Sequence, residues 1–394
     1  MKAQGLDGRR MRLIAVCSVL LSIFVTSAAW ISPVRAAPPA APGAAAAIKL
    51  GAYAPLTGDY ASAGIDIVRA VRLAVANANK AHGVLGRQIT LDAQDSPCNP
   101  QVAVQAAQKL VTDGVVGVVG PYCSGDAIPA SVIYHRANIP MITPASTNPK
   151  LTEQGFNDIF RTIGRDDEQG LFAARIIAKS LGAKKIAIIH DNTVYAKGLA
   201  EQTRDALSKY SGTNIVLFDA ITPGSKDFSA IVTRLRTLNP DVTYFTGYYS
   251  DGGLLIKQFF QLGVSGKFMA GDANNDPTFI KLAGSVAQKA LITSAPTPEL
   301  VPTAKSFVRQ YRQSYHTGPG PYSAYAYDAT NVLLRAIEQT RSTNGAALIR
   351  ALHQMKGYSG ITGKVTFNAK GDRKQIQYIV ETVRGGRFVR ASVK

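Results

Sequence analysis

The sequence has few residues of several types, and each shortage excludes a class of protein. Its 394 residues include three Cys, five His and one Trp. So few Cys exclude a disulfide-rich scaffold, and the His residues include no pair at metal-ligand spacing. The 46% hydrophobic and 18% charged content is that of a globular chain, which excludes a fibrous or wholly disordered protein. A chain of this length can form two lobes of ordinary size.

The motifs of several common enzyme classes are also missing. The segment after Val119 lacks the G-x-G-x-x-G of dinucleotide-binding proteins, and no G-x-S-x-G elbow is present. Gly266–Lys267 and Gly363–Lys364 are not followed by the Ser or Thr of a Walker A box. Ser124 stays open as a hydrolase nucleophile, but nothing in the sequence nominates its His partner. We therefore predict that the protein is not an enzyme and needs no cofactor or metal.

The first 36 residues have the layout of a secretory signal peptide. A basic segment precedes the apolar run Leu13–Trp30, and Val34 and Ala36 supply the small residues that a cut after Ala36 requires. A retained membrane anchor is the competing interpretation. Four Ser and Thr residues interrupt the run and an Ala/Pro-rich tract follows it, which favours cleavage. We predict an exported, periplasmic protein with residues 37–47 as a short flexible leader.

Acidic residues are scarce relative to basic ones. Lys and Arg number 44 against 26 Asp and Glu, which gives a net charge of +18. Residues 1–36 hold five basic residues and one acid, so the chain after them carries +14. This excess raises nucleic acid and anionic membranes as partners. The basic residues are scattered, with no run of five and no stripe interleaved with aromatics, and the chain is predicted to be exported, so we predict no nucleic-acid partner.

From Ile48 onward, short apolar strands alternate with amphipathic helices, a pattern typical of parallel sheets covered by helices on both faces. A polar stretch at Thr162–Asp167 separates two such runs, and three prolines between 296 and 302 precede a mainly helical segment. The chain then ends in hairpin-like strands, Gly363–Phe367 and Gln375–Thr382. These features predict two α/β lobes with several chain crossings between them. The nine candidate strands of the two runs are Lys49–Ala54, Gln88–Gln94, Val115–Val119, Ile139–Thr143, Lys185–His190, Ile215–Asp219, Val242–Thr246, Lys267–Gly271 and Ala290–Thr293.

The loops that follow these strands carry the residues best suited to a ligand, because open α/β sheets bind ligands beyond the carboxyl ends of their strands. Gly120–Gly125 ends at a predicted helix N-terminus with a Ser hydroxyl, which suits a carboxylate or phosphate. Thr143–Asn148 offers hydroxyls and carbonyls to an ammonium, and Asp272 or Asp191 can add a counter-charge. Tyrosines 195, 248 and 249 supply aromatic walls. Taken together, these groups fit a zwitterion with a hydrophobic side chain.

Beyond this chemistry, the sequence closely resembles the periplasmic leucine/isoleucine/valine-binding proteins of bacterial ABC importers, from about Ile48 to the C-terminus. The residues that carry the resemblance are Gly51–Gly58, Cys123–Ser124, Pro129–Tyr134, Pro140–Thr147, Leu151–Thr152, Ile186–Asp191, Tyr195, Gly198–Leu199, Lys226–Ser229, Gly247–Tyr248, Phe268–Met269 and Ala324–Tyr325.

The resemblance implies a class I periplasmic-binding-protein fold, in which two doubly wound parallel-sheet lobes are joined by a three-crossover hinge and close on the ligand. Lobe 1 would comprise residues 48–166 and 295–378, and lobe 2 residues 167–294 and 379–394. Cys98 and Cys123 match the single disulfide of the family, and an even pair of Cys in an exported chain favours this pairing. The implied partners are an amino acid of the Leu/Ile/Val class and an inner-membrane ABC permease, and we expect a monomer.

The resemblance also assigns roles to individual residues. The ligand carboxylate would be held by Ser124 and Thr147. The ammonium would be held by the Ala145 carbonyl, by Thr147 and by Asp272. Tyr195 and Tyr248 match the aromatic residues of the second lobe that close over the site. The complete predicted ligand-binding set is Tyr122, Cys123, Ser124, Ala145, Ser146, Thr147, Tyr195, Tyr248 and Asp272.

Two positions depart from the family pattern, and both concern ligand choice. The family acid is usually Glu, whereas Asp272 is one methylene shorter. A Tyr that lines the side-chain pocket in the family is replaced by Ala63, and Tyr60 is a candidate to compensate. The alternatives left open are a binding protein or sensor of the same fold for amides, urea or aromatic acids, and the hydrolase that would use Ser124.

Overall fold

Two sheets organise residues 46–393, the part of the chain that this computed structural model describes. The predicted signal peptide lies outside the described residues, as does the leader up to residue 45. The strands are β1 (Ile48–Ala54), β2 (Ile89–Asp95), β3 (Val118–Val119), β4 (Met141–Thr143), β5 (Ile159–Arg161), β6 (Lys185–His190), β7 (Asn214–Ala220), β8 (Val242–Phe245), β9 (Lys267–Ala270), β10 (Ala290–Ser294), β11 (Tyr358–Gly360), β12 (Gly363–Val365), β13 (Ile379–Arg384) and β14 (Arg387–Arg390).

Helices occupy most of the intervals between the strands. Helix α4 continues without a break into a π-helical stretch, Ile176–Ser180. The α-helices are α1 (Ala61–Lys80), α2 (Pro100–Thr112), α3 (Ser124–Arg136), α4 (Asp166–Arg175), α5 (Val194–Leu207), α6 (Ser229–Leu238), α7 (Tyr249–Gln261), α8 (Pro277–Ala283), α9 (Lys305–Tyr315), α10 (Ser323–Thr340) and α11 (Gly345–Gln354).

Both sheets have the strand order of a doubly wound fold. The first sheet is parallel throughout, with the order β2-β1-β3-β4-β5. The second has the order β14-β13-β10-β9-β8-β6-β7, in which β13 and β14 are antiparallel additions to a parallel sheet. The chain changes its direction of growth between β1 and β3 in the first sheet and between β6 and β8 in the second. Ligands of open α/β sheets bind at these switch points.

The chain passes between the two sheets three times within residues 46–393: after β5, after β10 and after β12. Helices α9, α10 and α11 belong with the first sheet, because α10 packs on α1 and contacts β3 and β4. We call the first sheet with its helices lobe 1, and the second sheet with its helices lobe 2. The fold is therefore the two-lobed α/β fold that the sequence predicts.

The central strands of each lobe are apolar because helices cover them on both faces. In β6, Ile186, Ile188 and Ile189 are fully buried, and all four residues of β8 are buried. Burying one such aliphatic side chain contributes about 1.5–3 kcal/mol to stability. The strands thereby fix two rigid sheets, and the loops at their carboxyl ends are left free to carry polar residues.

Two details of the predicted chain organisation are wrong. The polar stretch from Thr162 is preceded by strand β5, which the sequence pattern did not reveal, and the predicted terminal hairpin forms only next to its turn, where Phe367 bridges Arg373. Strand β12 pairs with β11, whereas β13 pairs with β10 and β14. Asp372, between β12 and β13, accepts hydrogen bonds from Arg161 and Arg165 and so ties this segment to the crossover after β5.

Candidate functional site

Two loops of lobe 1 bring together the residues that are predicted to bind the charged head group of the ligand. One follows β3 and leads into α3 at Ser124, and the other follows β4 and includes Ala145, Ser146 and Thr147. The Ser146 hydroxyl lies within 3.2 Å of the carbonyl oxygens of both Pro121 and Tyr122. The Asn148 N–H donates to Ser124 Oγ at 3.3 Å. These contacts hold the two loops side by side at the switch point of the first sheet.

The disulfide implied by the resemblance is present at this point. It joins Cys98 to Cys123, whose Cα atoms are 5.6 Å apart, and Cys123 is the N-cap residue of α3. Ser124 therefore starts a helix whose first turn is anchored covalently to the rest of lobe 1. The free N–H groups and positive dipole end of a helix N-terminus favour an anion.

A buried arginine supports the loop after β4, which contains Thr147. Arg161, the last residue of β5, is fully buried and forms an ion pair with Asp372 at 2.8 Å. Its Nη1 donates to the Ser146 carbonyl at 2.7 Å and its Nη2 to the Asn148 carbonyl at 3.2 Å. The guanidinium thus fixes the backbone on both sides of Thr147, so that the threonine hydroxyl is presented from a rigid loop.

Asp272 lies on the opposite side of the site, directly after β9 in lobe 2. Its Oδ1 accepts a hydrogen bond from the Tyr195 hydroxyl at 2.7 Å, and its Oδ2 accepts one from the Tyr322 hydroxyl at 2.8 Å. Burial raises the pKa of Asp272, while the two phenol hydrogen bonds oppose that rise. The structure therefore places an acid, with two of its lone pairs occupied, opposite the Ser124 and Thr147 loops.

Between Thr147 and Asp272 lies a small cavity of about 10 Å³, room for roughly one water molecule. Its lining includes Thr147, Gln169, Asp272, Ser294, Tyr322 and Tyr378. Thr147 is 1% exposed, and its hydroxyl has no hydrogen-bond partner among the described residues. An amino acid exceeds the volume of this cavity, so a ligand of that size requires the lobes to separate before it enters.

A wall of tyrosines lies between the two lobes, and its centre is Tyr248 of lobe 2. Its ring centroid is 4.7 Å from that of Tyr60, 5.5 Å from that of Tyr122 and 5.1 Å from that of Tyr195. The backbone N–H of Tyr248 donates to Asp191 Oδ2 at 3.3 Å. Asp191 thus supports the aromatic wall. Unlike Asp272, it does not line the cavity.

Ala63 stands where the family has a Tyr, and Tyr60 is the candidate to compensate for it. Both residues lie at this wall. Ala63 is buried in α1, whereas Tyr60 precedes that helix and reaches across to Tyr248. Tyr60 thus adds an aromatic ring to this wall from a position three residues before Ala63.

Direct hydrogen bonds also join the two lobes around the site. Asn148 Nδ2 donates to the Val194 carbonyl of α5 at 2.8 Å, and the Ser62 hydroxyl of α1 donates to Asp276 Oδ1 at 3.1 Å. Gly198 makes room for the first contact, since a Cβ atom there would lie 2.4 Å from Asn148 Nδ2. The described arrangement is therefore a closed one, with polar contacts at its rim.

Three residues of the site were missed in the sequence. Tyr322 follows Gly318–Pro321 and starts α10, and Asp166 and Gln169 lie one turn apart at the start of α4. The available signals were a Gly/Pro-rich segment before a Tyr and an acidic residue in the polar stretch Thr162–Asp167. Neither signal is specific, because such residues are common at helix N-termini without any ligand.

Neither a metal centre nor a membrane span is found in the described part of the chain. Residues 46–393 contain no group of three or more His, Cys, Asp or Glu side chains placed to hold a metal ion. None of the helices in this range combines the length and the apolar character that crossing a bilayer needs.

The fold and the site together are those of a periplasmic binding protein. A profile of that family matches residues 47–387, and the chain belongs to the family. It is 36% identical to the Leu/Ile/Val-binding protein homolog 3 of Brucella melitensis, over 84% of this chain and 90% of the relative.

Two solved structures extend the comparison. The leucine-binding protein LivK from Thermotoga maritima is 28% identical, with a TM-score of 0.82, over 88% of this chain and 98% of that one. The branched-chain amino acid transporter substrate-binding protein LivJ from Streptococcus pneumoniae, in complex with isoleucine, is 28% identical. Its TM-score is 0.79, over 88% of this chain and 100% of that one.

Proposed function

We propose that this protein captures an aliphatic, branched-chain amino acid in the periplasm and delivers it to an ABC permease. One observation carries the proposal: Thr147 of lobe 1 and Asp272 of lobe 2 line the same cavity, and the Asn148 N–H next to Thr147 donates to Ser124 Oγ at 3.3 Å. Hydroxyl and N–H donors on one side and an acid on the other match the two charges of an amino acid. The names of the relatives in Brucella, Thermotoga and Streptococcus support the same ligand class.

Each residue of the predicted set has a role in this proposal. Ser124 and Thr147 bind the ligand carboxylate, and the Ala145 carbonyl, Thr147 and Asp272 bind the ammonium. Tyr195 and Tyr248 cover the ligand from lobe 2. Tyr122, Cys123 and Ser146 form the lobe 1 wall beside it.

Binding proceeds by domain closure in this proposal. The proposal divides the chain into lobe 1, residues 48–166 and 295–378, and lobe 2, residues 167–294 and 379–394, and the strand membership of the two large sheets supports this division. The ligand docks on lobe 1 when the lobes are apart, and lobe 2 then buries it. The contacts Asn148–Val194 and Ser62–Asp276 stabilise the closed form.

The same proposal covers cellular context. The chain is exported with cleavage near Ala36, acts as a monomer and performs no covalent chemistry, because its role ends with release of the ligand to the permease. The closed rim would be the surface that the permease distinguishes from the open form.

Mass spectrometry of the ligand retained after native expression tests this function without prior choice of a compound. The protein is purified from the periplasm without denaturation, and the ligand is released with acid. Leucine, isoleucine or valine is the expected compound. An amide, urea or an aromatic acid would instead support a binding protein or sensor of another specificity.

A further inference from the structure

Asp166, the first residue of α4, is a buried carboxylate that none of the roles above uses. It is fully buried, and neither of its carboxyl oxygens has a hydrogen-bond partner within residues 46–393. Its backbone N–H donates to the Thr147 carbonyl at 3.0 Å, which places it directly behind the loop that lines the cavity. Leaving a buried carboxylate without donors is costly, so a partner outside the described residues is expected.

Oxygen atoms of the residues around Asp166 also lack hydrogen-bond partners. Gln169 lines the cavity one helical turn later and is fully buried; its Nε2 donates to the Thr293 carbonyl at 3.0 Å, while its Oε1 has no partner among the described residues. The Thr147 hydroxyl, also at the cavity, has none either. Gln169 and Thr147 therefore present unpaired oxygens to a cavity whose far wall is Asp272, and the unpaired Asp166 carboxylate lies behind Thr147, an arrangement that suits a cationic donor.

The charged groups that face Asp166 do not neutralise the negative charge of its carboxylate. Burial and the neighbouring charge of Asp272 raise the pKa of Asp166, Asp167 adds to the rise, and Arg161 opposes it. Arg161 itself is paired with Asp372 and with two loop carbonyls, and no ion pair of residues 46–393 includes Asp166. The phenols of Tyr195, Tyr322 and Tyr378, also near this charge, are kept neutral by burial. A ligand ammonium would supply the opposite charge and so favour the ionised form of Asp166.

The Thr147 hydroxyl connects the ligand ammonium with Asp166. A hydroxyl that accepts a hydrogen bond from an ammonium must direct its own hydrogen elsewhere. The 3.0 Å bond between the Asp166 N–H and the Thr147 carbonyl places this acid beside Thr147, and a hydrogen bond from the Thr147 hydroxyl would stabilise its charged form. A hydroxyl polarised in this way is a better acceptor for an ammonium, because hydrogen bonds in a chain strengthen one another.

We propose that Asp166 is a positioning residue for amine recognition: it accepts the Thr147 hydroxyl hydrogen when the ligand ammonium binds, and it adds a second negative charge to that of Asp272. This inference rests on the proposed amino-acid function. It predicts that the site selects strongly for ligands with an α-amine over ligands of the same shape without one.

The test compares leucine with 2-hydroxy-4-methylpentanoate, which replaces the amine by a hydroxyl, in calorimetric titrations of the full protein. For Asp166→Asn, the Kd of leucine is expected to rise about tenfold or more, whereas that of the hydroxy acid changes less than about twofold. The matched control is Asp167→Asn on the same turn, whose half-exposed carboxylate pairs with Arg165 at 2.8 Å; it should leave the ratio of the two Kd values unchanged. Should Asp166→Asn not fold, Asp166→Ser takes its place.

The outcomes separate the two proposals. Equal losses for leucine and the hydroxy acid, or no loss for either, would overturn the role of Asp166 while amino-acid binding by the native protein stands. A native protein that binds no amino acid would overturn the proposed function itself, and this inference with it. Combining Asp166→Asn with Thr147→Val should cost less than the sum of the separate losses, since both changes remove the same hydrogen-bond chain.

Discussion

The Tyr322 hydroxyl donates a hydrogen bond to Asp272 Oδ2 at 2.8 Å, and the two residues belong to different lobes. Tyr195 of lobe 2 donates to the other carboxyl oxygen at 2.7 Å. Asp272 thus receives one phenol from each lobe, and the acid that we assign to the ligand ammonium is also a contact of closure. A shorter side chain than Glu is held in place by this pair of hydroxyls.

Removing the Tyr322 hydroxyl should weaken the closed state. A hydrogen bond to a carboxylate contributes about 1.5–3 kcal/mol, so Tyr322→Phe is expected to lower amino-acid affinity roughly 10- to 100-fold in calorimetric titrations. Tyr327→Phe is the matched control, because Tyr327 lies on the same helix and contacts Asn77 and Phe307 away from the site. Equal affinities for the two variants would show that the Tyr322 contact does not contribute to binding.

The rim contact between Asn148 and Val194 should slow ligand release. In Asn148→Asp, the side chain can still accept from the Lys150 N–H but cannot donate to the Val194 carbonyl. Loss of that bond is expected to speed dissociation about fivefold or more, measured by stopped-flow displacement.

The control for this change is Asn344→Asp. Asn344 caps α11 by accepting from the Ala347 N–H at 3.2 Å, a contact that Asp preserves, and it lies far from the rim. Its dissociation rate should match that of the native protein. If Asn148→Asp also matches it, the contact does not hold the lobes closed.

Stability should fall between about pH 4 and pH 7, in part because of Asp66. Burial raises the pKa of Asp66 from 3.8 to about 7, so the folded protein keeps a proton that the unfolded chain has already lost. The proton favours the folded state at low pH, and this advantage is lost as the pH rises towards the folded pKa. Asp126, whose pKa burial also raises to about 7, acts in the same direction.

Urea unfolding of Asp66→Asn at pH 4.5 and pH 7.5 checks this account. The fall in unfolding free energy between these pH values should shrink by about 2–4 kcal/mol relative to the native protein. Asp205→Asn changes an exposed acid and should give a pH profile parallel to the native one. A parallel profile for Asp66→Asn as well would show that Asp66 titrates normally.

The disulfide should contribute to the stability of lobe 1. Cys98 and Cys123 are 25 residues apart in the chain, and closing a loop of this length stabilises the folded state by about 3 kcal/mol. Replacing both Cys by Ser should lower the unfolding free energy by this amount, and a reductant should destabilise the native protein but not the double variant. Identical urea midpoints for both proteins would contradict the prediction.

Much of the fold was readable from the sequence because the strands of both sheets are short, apolar and separated by periodic helices. Each of the nine candidate strands corresponds to a strand of the structure, although β3 and β4 are shorter than predicted. Strand β5 was missed because its three residues include the buried Arg161, which looks polar in sequence but is paired with Asp372. That pairing joins residues far apart in the chain, and no local pattern indicates it.

The site could be predicted only in part from the sequence, for a similar reason. Ser124, Thr147 and Asp272 all lie in loops that follow strands, so the rule of strand ends predicts them at one site. Asp166 and Tyr322 start helices next to the crossovers, and their relation to Asp272 depends on how the two lobes meet. The cavity volume likewise follows from lobe closure and not from any segment of sequence.

Calorimetric titration of the native protein with a panel of compounds tests the central claim most directly. The panel contains leucine, isoleucine and valine together with amides, urea and aromatic acids. The arrangement of Ser124, Thr147 and Asp272 predicts micromolar or tighter binding of at least one branched-chain amino acid. No heat from any amino acid, with saturable heat from an amide or an aromatic acid, would contradict it.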